Sequence, residues 1–164
     1  MKNGFTLIEC FVVFSVTAIL LSIALPNIQM ICQNYQLRQL AVELKGFFIQ
    51  ARTQALTSRQ DLWIQYSLLD SEDMKSWRVS LVKDNKHSSK GNELLVLLGT
   101  NTSLSPSWTS LKIDGRTGRV LENSHLTFTN SLPHGVTLKL LTHNVTGRVR
   151  ICAIGANFYG YPKC

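Results

Sequence analysis

Residues 4–26 read GFTLIECFVVFSVTAILLSIALP. Between Phe5 and Leu25 there is one charged side chain, Glu9, in a run of about 21 residues. As a helix rising ~1.5 Å per residue, that run is long enough to cross a hydrocarbon core of about 30 Å. Two readings compete for this N-terminus. One is a secretory signal peptide, with Lys2 as its basic region and Ser22-Ile23-Ala24 as a small-x-small cleavage site. The other is a membrane span, and two features favour it. The run is longer than a signal peptide needs, and a carboxylate inside it costs about 3 kcal/mol on insertion scales, so Glu9 calls for a role. Pro26 closes the span and is expected to kink or locally break the helix.

Beyond Pro26 the composition is that of a soluble protein. The chain of 164 residues is long enough for one domain plus an appended segment. Lys2 and Glu9 are the only charges before Pro26, so the net charge of +7 belongs mostly to the soluble part. A basic head suits nucleic acid, anionic lipid or an acidic protein face, and the same charge also serves plain solubility.

Helical spacing resumes at residues 35–58. Leu37, Leu40, Leu44, Phe47, Phe48, Ala51 and Ala55 recur at three- and four-residue steps, which predicts a face packed into the head. Val42, Ile49 and Leu56 form a second apolar line, readable as extra core or as a contact to neighbouring subunits. Arg38, Lys45, Arg52 and Arg59 form a basic line that reads as a solvated flank.

After Arg59 the period changes to two. Leu62, Ile64, Tyr66 and Leu68 alternate with mostly polar neighbours, as do Trp77, Val79 and Leu81. Residues 83–92 and 100–107 read as loops by composition, and 93–98 as a buried strand or short helix. Further short strands are expected near 111–113, 126–128, 136–141 and 148–153. The fold class is therefore α+β: a long N-terminal transmembrane and amphipathic helix packed on a small antiparallel β-rich head. Gly115-Arg116 and Gly118-Arg119 resemble Gly147-Arg148, and no other internal repeat stands out.

Of four cysteines, Cys10 sits in the apolar run and reads as a small hydrophobe, and Cys32 is left free or intermolecular. Cys152 and Cys164 close a short C-terminal loop and are expected to pair in an oxidising compartment. Their spacing fits no zinc site. His87, His125, His134 and His143 show no ligand spacing, and no nucleophile motif or phosphate-cradling loop is present. The expectation is a non-enzyme without cofactor or metal. Asn101-Thr102-Ser103 and Asn144-Val145-Thr146 match a glycosylation sequon.

Gly4-Phe5-Thr6-Leu7-Ile8-Glu9, followed by a full apolar span ending in Ala24-Leu25-Pro26, resembles the prepilin peptidase site of type IV pilins and type II secretion pseudopilins. Ala51-Arg52-Thr53-Gln54-Ala55 resembles the Ala-Arg-x-x-Ala segment of FimT-type minor pilins and GspH-type pseudopilins. Trp77-Arg78-Val79, Leu126-Thr127-Phe128 with Gly135, and residues 147–152 extend the resemblance along most of the chain, with residues 70–124 matching little.

The resemblance implies a leader at 1–4, cleavage between Gly4 and Phe5 with methylation of Phe5, and a transmembrane helix at 5–25. It also implies an amphipathic extension at 26–59 and a periplasmic head at 60–164, anchored in the inner membrane by a single pass. Glu9 would then serve assembly by pairing with the Phe5 amine of a neighbouring subunit. The implied partners are other pilin or pseudopilin subunits, the prepilin peptidase, the inner membrane and DNA. The implied function is that of a minor pilin; the alternative is a minor pseudopilin of a type II secretion system.

Some FimT-type members bind DNA in natural transformation through a Gly-Arg-x-Arg motif, which maps here onto Gly147-Arg148-Val149-Arg150. In a strand Val149 and Ile151 point one way and Arg148 and Arg150 the other, the arginines about 7 Å apart. Lys163 and the aromatics Phe158, Tyr159 and Tyr161 are expected beside them as exposed groups, with Arg116 and Arg119 extending the patch. The competing reading is that the two arginines are simply solvated, or face an acidic surface of the next subunit.

Overall fold

The computed structural model describes residues 6–71, 74–83, 93–100, 102–130, 135–155 and 158–164. The expected cleavage site at Gly4 and Phe5, together with His87 and His134, lies outside the described residues. The chain divides into two units, Met1–Tyr35 and Gln36–Cys164. One helix, α1 (Leu7–Ser58), contributes to both.

In the first unit α1 starts on a cap that the sequence spells out. Thr6 Oγ1 accepts the Glu9 amide at 3.4 Å, and the Thr6 carbonyl accepts the Glu9 and Cys10 amides at 3.1 and 3.3 Å. Thr6-Leu7-Ile8-Glu9 is thus a Thr-x-x-Glu capping sequence, with an acid in the first turn where the helix dipole favours it. The hydroxyls in the apolar run turn back on the helix. Ser15 donates to the Phe11 carbonyl at 2.8 Å, Thr17 to Val13 at 2.9 Å and Ser22 to Ile19 at 2.7 Å. In hydrocarbon this bonding satisfies groups that water would otherwise serve. The large apolar side chains of this segment are exposed, Leu7 by 88%, and by length and composition α1 can cross a membrane. The break expected at Pro26 is absent, because the helical backbone runs through it. A proline removes one helical bond, and opening the backbone further would strand more groups in an apolar surrounding.

In the second unit eight strands form two four-stranded antiparallel sheets among the described residues. They are β1 (Leu62–Ser71), β2 (Met74–Val82), β3 (Glu93–Gly99), β4 (Thr102–Pro106), β5 (Ser110–Ile113), β6 (Ser124–Asn130), β7 (Thr137–Thr142) and β8 (Val149–Ile154). The orders are β3-β2-β1-β5 and β4-β6-β7-β8. Strands β1, β2, β6 and β7 turn apolar alternates inward: Leu62 and Ile64, Trp77 and Val79, Leu126 and Phe128, Leu138 and Leu140 are all buried, whereas Leu68, expected in the same line as Leu62 and Ile64, is 64% exposed. The face of α1 expected to meet them does so, from Leu37 to Ala55, with Ala41 added. Burying each large apolar side chain contributes about 1.5–3 kcal/mol. Tyr66 donates its hydroxyl to the Leu104 carbonyl at 3.0 Å and so ties β1 to β4.

Three expectations change. Residues 102–106 are a strand, not a loop. Their Ser, Thr and Pro content suits an edge, and Leu104 fills the core while the register on β6 holds the rest. The apolar run 93–98 forms the edge strand β3, where Leu98 stays 61% exposed, rather than a buried one. The second apolar line of α1 is no core, since Val42 and Ile49 are 61% and 49% exposed.

Candidate functional site

Two hairpin turns with matching ends define the region. In residues 114–119 the Asp114 amide donates to the Arg119 carbonyl at 2.9 Å and the Gly118 amide to the Asp114 carbonyl at 2.8 Å. In residues 143–148 the His143 amide donates to the Arg148 carbonyl at 3.1 Å and the Gly147 amide to the His143 carbonyl at 2.8 Å. Thr117 Oγ1 accepts the Arg119 amide, as Thr146 Oγ1 accepts the Arg148 amide. Gly118 and Gly147 sit at φ 64° and 63°, the left-handed conformation that closes such a four-residue loop. Thr-Gly-Arg-Val therefore folds the same way twice.

Arg52 joins the turns from α1. Its Nη1 donates to the Gly147 carbonyl at 3.1 Å. A Cβ on Gly147 would stand 3.2 Å from that nitrogen and 3.5 Å from Arg119 Cγ, while one on Gly118 would stand 2.9 Å from Arg52 Cγ. Arg52, read from sequence as part of a solvated flank, is thus a half-buried clamp under both glycines.

The second turn fixes the register of β7 on β8, pairing Thr142 with Val149 and Leu141 with Arg150. His125 of β6 pairs with Leu141. His125, Leu141 and Arg150 therefore form one row across the outer face, and His143 and Arg148 close the end of the sheet beyond them. A groove of about 530 Å³ opens over this row, lined also by Asn123, Ser124, Thr142 and Thr146. Its lining is more apolar than polar, and no carboxylate lines it among the described residues. Arg148 and Arg150 are both exposed, with Ile151 buried and Val149 half-buried on the opposite face, as the alternation requires. Arg148 lies one residue before β8, at the hairpin's closing bond. Lys139, paired with Cys152, stands on the same outer face.

The remaining expected residues divide. Cys152 and Cys164 form a disulfide. The tail it ties runs beside β8, with the Ala153 amide donating to the Pro162 carbonyl at 2.8 Å and the Cys164 amide to the Ala153 carbonyl at 3.0 Å. That pairing covers the edge of the sheet and sets exposed Lys163 alongside Ala153. Of the three aromatics expected to be exposed, only Tyr159 is, at 58%. Phe158 is 8% exposed, and Tyr161 packs against the core. The cause is a tight turn: Phe158 and Tyr161 exchange backbone bonds around Tyr159 and Gly160, which carry φ 43° and 86° and throw Tyr159 outward.

Arg119 is exposed and reaches Gly147, so it borders the second turn. Arg116 is exposed in the first turn and does not line the groove. Asp61 accepts Lys112 Nζ at 2.7 Å and the Gly115 amide at 2.9 Å, which, with the Arg116 charge as a lesser cause, holds its carboxyl below the ordinary 3.8. Asp114 is lowered as well, by accepting the Thr117 and Arg116 amides at 2.9 and 2.6 Å. Glu9 is exposed at the start of α1, and Cys10 and Cys32 are free and exposed. No group of three or more His, Cys, Asp or Glu among the described residues could hold a metal ion.

Sequence reasoning missed His125, Leu141 and Lys139. Once 144–147 is recognised as a four-residue hairpin loop, pairing 142 with 149 puts Leu141 beside Arg150 and Lys139 beside Cys152. Comparison with family models, curated proteins and solved structures gives no match for the chain.

Proposed function

We propose that this chain is a type IV pilin-like minor subunit whose head binds nucleic acid. In this reading it is cut after Gly4, methylated at Phe5 and held in the inner membrane by the apolar part of α1. The head lies on the periplasmic side, and the partners are other pilin subunits and the prepilin peptidase. Thr6 caps the helix at the Glu9 amide, and the Glu9 carboxylate is the group that meets the Phe5 amine of a neighbour. The observation that carries the binding role is the groove beside Arg148 and Arg150, which no carboxylate lines among the described residues. Two exposed arginines rooted about 7 Å apart along the chain can reach successive phosphates, and such contacts position a strand without reading its sequence.

The test is an anisotropy titration of the full chain in neutral detergent against labelled duplex DNA at several salt concentrations. Binding that weakens steeply with salt is expected, and Arg148→Gln with Arg150→Gln should lower the log–log salt slope by about two. No binding at the lowest salt, or an unchanged slope in the double variant, contradicts the reading. In cells, deletion should impair DNA uptake or surface pili. Loss confined to exoenzyme secretion would move the chain to the pseudopilin alternative.

A further inference from the structure

We infer that the groove over His125 and Leu141 receives an unstacked nucleobase, so that the head prefers single-stranded to duplex nucleic acid; this rests on the nucleic-acid reading above. Phosphate binding by itself needs exposed cations on a surface. It does not need a cavity, and it does not need an apolar floor. The groove has both, at about 530 Å³ and with a lining more apolar than polar. That volume lies within the range of sites that enclose a small organic group, where a few polar groups set orientation.

The order of side chains fits a nucleotide. Leu141 stands at the centre of the row, half-buried, between half-buried His125 on β6 and exposed Arg150 on β8. Cross-strand neighbours lie about 5 Å apart, so the three present a continuous patch of ring, aliphatic carbon and guanidinium plane. Bases stack on imidazole and guanidinium faces and pack on aliphatic carbon, whatever their identity. With a single strand, Arg148 at the rim, beside His143, holds the phosphate while Arg150, which faces a second phosphate in a duplex, turns its guanidinium plane to the base. In a duplex the bases are already stacked and paired, and only the phosphates reach the rim. A single strand can place a phosphate on the rim and a base on the floor together. The disulfide-tied tail closes the edge of β8 beside this face.

The experiment uses the full chain in neutral detergent with three labelled probes of equal phosphate count at one low salt concentration. These are a thymidine oligonucleotide, an abasic strand of the same length, and a duplex hairpin. The thymidine strand is expected to bind at least about fivefold more tightly than the abasic strand, the effect of one stacked base. Leu141→Asn keeps the branched four-atom outline of the side chain, removes the apolar floor and should bring the thymidine strand down to the abasic value with the abasic value unchanged. His125→Ala, on a different strand of the sheet, gives an independent reading should Leu141→Asn unfold the head. Equal binding of thymidine and abasic strands, or tighter binding of the duplex, overturns the inference and leaves the phosphate reading standing. Binding of none of the three overturns both.

Discussion

The turns at 114–119 and 143–148 share Thr-Gly-Arg-Val at their ends, the same pair of backbone bonds and the same left-handed glycine, yet differ in charge and in what lies beside them. The first is held by carboxylates: Asp114 accepts its own turn amides and Asp61 accepts the Gly115 amide. The second has His143 where the first has Asp114, takes its outside support from the Arg52 guanidinium and the Asn123 side chain, and borders a groove without carboxylates among the described residues. Local sequence sets the shape of both turns. On the proposed reading, the charges around each turn decide which of them is available to an anion.

The largest way to break the comparison is to release the tail beside β8. Replacing Cys152 and Cys164 with Ser removes a crosslink of sequence separation 12, worth about 3 kcal/mol in the chain-entropy estimate. The thermal midpoint should fall, and amide exchange should rise in 143–154 more than in 114–119.

Alanine at either turn glycine comes next. A non-glycine residue in the left-handed region costs about 1–2 kcal/mol. Gly118→Ala should cost more than Gly147→Ala, because its Cβ would meet Arg52 Cγ and Leu56 Cγ at 2.9 Å, while at Gly147 it meets the movable end of Arg52 at 3.2 Å. Unfolding of the two variants by circular dichroism checks the order.

Arg52→Met keeps the stem under both glycines and removes the bond to the Gly147 carbonyl, a loss of about 1–2 kcal/mol. Exchange should rise in the second turn and stay level in the first.

Acid gives the smallest effect and points the other way. Asp61 and Asp114 have folded values below 3.8, so their contribution to stability is fully present above that value and is lost as pH falls through the folded values. Below about pH 4 the first turn should loosen before the second in pH-stepped exchange, and Asp61→Asn should remove part of that difference.

Much of this was legible before the structure. The buried face of α1 follows from the three- and four-residue spacing of Leu37 through Ala55, and a helix long and apolar enough to cross a membrane from the length of the run at 5–25. The Thr6–Glu9 cap was present in the letters as Thr-x-x-Glu, masked by their resemblance to a peptidase site. β4 was not legible, since its residues are turn formers and only the register on β6 makes them a strand. Phe158 was read as exposed because loop composition does not reveal that a two-residue turn at Tyr159 and Gly160 folds it inward. The arginines of the groove were visible by alternation. Their neighbours His125 and Leu141 come from strands distant in sequence, and Arg116 could be separated from the others only by its absence from the groove lining.

The central claim is that two turns of one shape differ in anion binding because of the charges around them. Parallel salt titrations of duplex DNA with Arg148→Gln/Arg150→Gln and with Arg116→Gln/Arg119→Gln test it most directly. The first pair should lower the salt slope by about two, and the second by about one at most, from Arg119 alone. Equal slopes for the two double variants would contradict the claim.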